Sequence, residues 1–170
     1  MAVDEDFYRI IHSEFRQHFV TVCVASTQCL SEWWLTVVYG PQGYREKIEF
    51  LSELWDIKTV VGDKWLLIGD FNLILEADDK SNSNLNRRLV GEFRNTLNFL
   101  EPKEFTLKER KFTWSNDTTQ TRIDRAFCSV EWDLMLPASM LHALSSMESD
   151  HRPLLLVRAS AVQTYRGFRF

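Results

Sequence analysis

The chain has 170 residues, 45% of them hydrophobic and 26% charged, a balance that fits one globular domain and excludes disordered and fibrous classes. A net charge of −4 and an isoelectric point near 5.6 give no global attraction to a polyanion, so any phosphate chemistry rests on a local basic face or a bound metal. No run reaches the roughly 18 apolar residues of a membrane span, and the acidic start MAVDEDFYRIIHSEF lacks a signal peptide's apolar core, which points to an intracellular protein, nuclear or cytoplasmic and not secreted.

Residues 1–18 form a divergent amino-terminal segment. Residues 19–24 alternate apolar and small polar side chains and residues 33–39 are again strand-like, which predicts a hairpin with a six- or seven-residue loop. Gly40-Pro41 stops the second strand. From Tyr44 onward, Ile48, Leu51, Leu54 and Trp55 recur at helical spacing between Glu46, Glu49 and Glu53, an amphipathic helix. Residues 65–68 are wholly apolar and end in Gly69-Asp70, the pattern of a buried central strand that opens into a loop facing a cleft. A polar loop over 78–86 precedes a second amphipathic helix marked by Leu89, Phe93, Leu97 and Leu100. Residues 111–115, 122–129, 139–144 and 153–157 read as further short strands with polar connectors. Residues 164–170 alternate basic and aromatic side chains. Strands interleaved with two or three helices place the chain in the α/β layered class.

Three cysteines, Cys23, Cys29 and Cys128, form no CxxC pair, so they read as reduced core residues, not as a zinc or disulfide framework. The chemistry concentrates in Gly69-Asp70-Phe71-Asn72, Arg122-Ile123-Asp124 and Ser149-Asp150-His151-Arg152-Pro153. Two apart in an extended backbone, Asp70 and Asn72 share a face and suit gripping a water bound to a metal or a phosphate; the plainer alternative is a turn in which both cap backbone amides. Asp150 and His151 are adjacent and project differently, so His151 takes its carboxylate partner from elsewhere, and Asp124 is the natural one. An aspartate holding a histidine fixes its tautomer and favours its protonated form, which suits proton transfer or a cation facing a phosphoryl oxygen. The alternative is a histidine that caps a strand-end turn beside an Asp150–Arg152 pair.

In this order, WLLIGDFN, FTWSN, RID and SDHRPLLL resemble the endonuclease/exonuclease/phosphatase superfamily, which includes DNase I-like nucleases and AP endonucleases. With WWLTVVYGP, RKFTWSN, RIDRAFCS and EWD, the chain looks like the endonuclease domain of plant non-LTR, LINE-type retrotransposons and their host-genome derivatives over residues 19–170. The resemblance implies a DNase I-like four-layer α/β/β/α sandwich and magnesium-dependent hydrolysis of DNA phosphodiester bonds. Carried over by position, Tyr39 matches a tyrosine that contacts the scissile phosphate. Asp70 matches the carboxylate that orients or deprotonates the attacking water, and Asn72 the amide that holds that water or a phosphate oxygen. Asp124 and His151 match an Asp-His pair facing the phosphate, and Asp150 a carboxylate near the metal. Thr113 and Trp114 match a substrate-flanking strand, although a strand tryptophan is more often core. Arg87, Arg88, Lys108, Arg110, Lys111 and Arg122 are candidate phosphate contacts or simply a solvated face.

The resemblance also implies a loss. The family's opening strand, with an Asn in a WNVRG-like motif, has no counterpart, nor does the next strand, ending in a Gln-Glu-Thr-like motif whose glutamate is the main magnesium ligand. Asp4, Glu5, Asp6 and Glu14 end no apolar strand. The expectation is a sandwich lacking its opening strands: a partial domain over 19–160, with 161–170 beginning a linker or tail that in intact retroelements leads toward a reverse transcriptase. Weak magnesium binding, impaired hydrolysis and self-association through exposed sheet edges follow. Two other readings stay open: a catalytically inactive remnant that binds nucleic acid or protein, and a phosphoesterase acting on small phosphoesters, against which WWLTVVYGP and FTWSN argue.

Overall fold

The computed structural model describes residues 4–28, 31–146 and 149–158; Cys29 and the basic-aromatic tail lie outside them. In chain order the elements are β1 (Tyr8–Phe15), β2 (Phe19–Ser26), β3 (Glu32–Tyr39), α1 (Tyr44–Lys58), β4 (Trp65–Asp70), α2 (Arg87–Leu100), β5 (Lys103–Glu104), β6 (Leu107–Lys108), β7 (Trp114–Ser115), β8 (Gln120–Thr121), β9 (Asp124–Cys128), α3 (Val130–Met135), β10 (Ser139–Ala143) and β11 (Leu154–Arg158). A short 3-10 turn covers Ala77–Asp79. Six strands form one sheet in the order β1-β2-β3-β4-β9-β5, three form a second in the order β11-β10-β6, and β7 and β8 make a small ribbon.

The wholly apolar β4 needs cover on both faces, and alternation supplies it. Trp65 and Leu67 point to the helical side, where they join Phe19, Phe50, Leu54, Phe71 and Phe93. Leu66 and Ile68 point to the other side and meet Phe105, Ala126, Trp132 and Leu141 between the two sheets. The described residues thus supply the α/β/β part of a layered sandwich, with α1 and α2 packed together on the outside of the larger sheet. Among them, no helix is long and apolar enough to cross a membrane. Cys23 and Cys128 are buried free thiols.

Expectation and structure differ in detail. β2 ends at Ser26 and β3 begins at Glu32, so the hairpin connection is residues 27–31, shorter than the six or seven residues expected. The strand expected over 111–115 is regular only at Trp114 and Ser115. β1, β5, β6, β8 and α3 carry no usable periodicity: the strands β5, β6 and β8 are two residues long, α3 is six, and β1 is exposed along nearly its whole length.

What matters for the site is register. Tyr39 on β3 stands opposite Asp70 on β4, and Asp70 stands opposite Asp124 on β9. Three side chains from three adjacent strands therefore line one end of the large sheet.

Candidate active site

Gly69 gives the strand end its shape. Its φ is 146°, and a Cβ there would lie 2.1 Å from the Val38 carbonyl oxygen, so only glycine allows β3 and β4 to close up just before Asp70. A Cβ on Gly40 would meet the Phe71 carbonyl oxygen at 2.2 Å. The chain then turns sharply through Asn72, whose φ is 51°, a left-handed conformation that asparagine tolerates better than most residues. In that turn the Asn72 backbone N–H donates to Asp70 Oδ1 at 2.8 Å and its side-chain Nδ2 to Asp70 Oδ2 at 3.0 Å. Nδ2 also donates to the Gly40 carbonyl at 2.7 Å, while Gln42 Nε2 donates to Asn72 Oδ1 at 3.0 Å. The turn reading therefore holds for Asp70, which accepts the Asn72 backbone amide, whereas Asn72 caps no backbone amide among the described residues and the extended backbone behind the shared-face reading ends at Asp70.

His151 arrives from the other sheet, on the connection between β10 and β11. Backbone bonds staple that connection to the β7 region: Ser115 N–H donates to the Asp150 carbonyl at 3.0 Å and Arg152 N–H to the Thr113 carbonyl at 2.7 Å. This brings His151 Nδ1 to 3.2 and 3.1 Å from the two carboxylate oxygens of Asp124, which leaves Nε2 for an incoming group. Thr113, expected among the substrate-binding residues, is wholly buried and stands behind the site. Its hydroxyl accepts from the Ile123 and Asp124 backbone amides at 3.2 and 3.0 Å.

Asp70 and Asp124 are each 8% exposed. Burial raises the Asp70 carboxyl to about 6, opposed by the Asn72 backbone hydrogen bond and reinforced by the neighbouring Asp124 charge. Burial raises Asp124 too, against hydrogen bonds and charge from Thr113 and His151. A carboxyl near 6 changes protonation close to neutral pH, as a general base or acid requires.

Of the remaining site residues, Tyr39 is 70% exposed, and it stands with His151, Asn72 and Trp114 on the wall of a cleft of about 660 Å³. Asp150 also lines this cleft but sits apart from Asp70 and Asp124, with its Oδ2 accepting from Trp114 Nε1 at 2.8 Å. Trp114 is neither core nor fully exposed. Arg122, a candidate phosphate contact, instead donates inward to Glu104 at 2.7 Å. Gln42, Lys47 and Lys80 line the cleft and were not singled out from the sequence; the one available signal was their nearness to Tyr39-Gly40-Pro41 and to the polar loop after Asp79.

Donor atoms of Asp70, Asp124 and His151 lie within 4.8 Å of one another, the one such cluster among the described residues. It does not fit a resident magnesium ion, which demands near-octahedral oxygen ligation. One donor is an imidazole already engaged by Asp124, and both Asp70 oxygens accept from Asn72. No glutamate among the described residues joins the cluster. Glu14 pairs with Arg16 on β1, three strands away from β4, or about 14 Å at the usual strand spacing.

No family model and no curated protein matches this sequence. Solved structures do match. The endonuclease domain of TRAS1, a telomere-specific non-LTR retrotransposon, is 17% identical, with a TM-score of 0.65 over 88% of this chain and 66% of that one. The 3' phosphatase NExo from Neisseria is 14% identical, with a TM-score of 0.62 over 85% of this chain and 66% of that one. The catalytic domain of Xenopus laevis APE2 is 18% identical, with a TM-score of 0.56 over 83% of this chain and 55% of that one. The chain thus spans less than two thirds of the length of each. Two stacked sheets, a mixed α/β order and these likenesses together give the chain the DNase I-like fold of the endonuclease/exonuclease/phosphatase proteins.

Proposed function

We propose that the cleft binds a DNA phosphodiester in the manner of a nuclease, and that this chain by itself hydrolyses it poorly. The observation that carries the reading is the convergence of Asp70, Asn72, Asp124 and His151 where two adjoining clefts share Tyr39 and His151, with Asn72 lining one and Asp70 and Asp124 the other. Held through Nδ1 by Asp124, His151 offers its other ring nitrogen to a phosphoryl oxygen. Asp70 accepts a proton from the attacking water, and Asn72 keeps the carboxylate turned toward it. Tyr39, directly beside Asp70 and largely exposed, reaches the same phosphate. Trp114 and Tyr39 add aromatic surface on which an unstacked base rests, which favours a nucleic-acid strand over a small phosphoester.

The weakness of the site is its charge. Phosphodiester hydrolysis builds negative charge that needs concentrated positive charge in return, and within the cluster His151 is the one basic group beside two buried carboxyls. On the same reading the chain derives from the endonuclease of a plant LINE-type retroelement, acts in the nucleus or cytoplasm, and had a reverse transcriptase as partner in the intact element. A labelled DNA oligonucleotide titrated with the chain tests the binding: His151→Ala is expected to weaken it about fivefold or more, the loss of roughly one charge-assisted contact. Equal affinity in the wild type and in His151→Ala would remove His151 as a phosphate contact.

A further inference from the structure

Besides the imidazole of His151, the cleft is lined by two ammonium groups. Lys47 stands in the first turns of α1, and Lys80 follows the 3-10 turn, where its backbone bridges to Thr121 and its Nζ donates to the Asn84 carbonyl at 2.7 Å. An ammonium has three donors, so two on Lys80 remain. Among the described residues neither lysine is ion-paired, whereas Arg94, Lys103, Arg122 and Arg125 each have a carboxylate. Burial lowers the Lys47 ammonium, Asp70 works against that, and Lys80 lowers it further. Two like charges brought together in a partly dehydrated cleft are unfavourable until an anion joins them. The amides of Gln42, Asn72 and Asn84 surround the position, and Leu73, Leu89 and Val90 floor it. The amino end of α2, capped by Asn86, which also lines the cleft, adds its positive end to the same region.

We propose that Lys47 and Lys80 form a second anion-binding position, which holds a backbone phosphate next to the one that faces His151. This rests on the nuclease-type reading of the cleft and names its substrate class: a nucleic-acid strand with consecutive phosphates, in preference to a phosphomonoester. A single phosphate occupies the His151 side alone. A strand bridges both positions, with the sugar and base between them against the apolar floor.

The experiment is a titration of the full chain with a short labelled thymidine oligonucleotide and, separately, with thymidine 5'-monophosphate, across a range of KCl concentrations. Lys47→Gln and Lys80→Gln are each expected to weaken the oligonucleotide about five- to tenfold and to reduce the salt slope by about 0.7 to 1, while mononucleotide binding stays unchanged. Lys47→Arg keeps the charge and retains both values. The inference is overturned if both glutamine variants leave the oligonucleotide affinity and salt slope unaltered, or if they weaken mononucleotide and oligonucleotide equally, which would mean one shared phosphate position. Should His151→Ala leave both ligands unaffected while Lys47→Gln still weakens the oligonucleotide, the second position stands and the His151 reading fails.

Discussion

The Asp70 carboxyl is buried beside Asp124, and its folded value of about 6 lies above that of an unfolded chain. The folded state therefore binds this proton more tightly than the unfolded state does. The ionised group costs stability in full above about pH 7, and that cost is relieved as the pH falls toward about 4; Asp124 acts in the same direction. Asp70→Asn is thus expected to raise stability at pH 8 by about 1–3 kcal/mol and to flatten the difference between pH 8 and pH 4, measured by urea denaturation at both. An unchanged pH profile would show that burial of this carboxyl carries no such cost. At this scale the sequence was partly legible. The distant partner of His151 could be named because adjacent Asp150 points elsewhere, and the structure places Asp124 there. The burial of Thr113 was not legible, because a strand threonine looks the same whether its hydroxyl faces substrate or the backbone amides behind the site.

Elements put these residues in place, and one buried ion network fixes how. Arg125 on β9 is 1% exposed and donates to Asp79 and Glu104, while Arg122 shares Glu104. Asp79 also accepts the Leu75 and Glu76 backbone amides at 2.8 and 2.7 Å. The loop that follows Asn72 and carries Lys80 is thereby anchored to the sheet that carries Asp124. Removing the cation leaves the buried Asp79 carboxylate without its ion partner, while Glu104 keeps Arg122, so Arg125→Leu is expected to cost about 3–5 kcal/mol, read from the denaturation midpoint; a cost below about 1 kcal/mol would show that the network adapts without it. Periodicity made β4, α1 and α2 legible because each presents a long apolar face to a covered core. It could not show the Arg125 network: RIDRAF reads as an ordinary strand, and its partners lie 21 and 46 positions away.

Taken whole, the molecule is a layered sandwich with an open edge. Among the described residues β1 pairs only with β2, and Ile11 and Phe15 on it are 49% and 74% exposed. An unpaired apolar edge is a template for another strand, so sedimentation is expected to show concentration-dependent association that Ile11→Lys with Phe15→Lys abolishes. A monomer at every concentration would contradict this. The layered class was legible from alternating strands and helices, whereas the stacking of two sheets was reached only through the family-like motifs, and their six and three strands were not legible because β5 and β6 are too short to leave a pattern. The central claim is a nuclease-type cleft whose charge balance is too poor for efficient hydrolysis, and nicking of supercoiled plasmid by the purified chain in magnesium tests it most directly. The expected result is nicking at or near background, although DNA still binds through His151. Efficient magnesium-dependent nicking, abolished by His151→Ala, would contradict it.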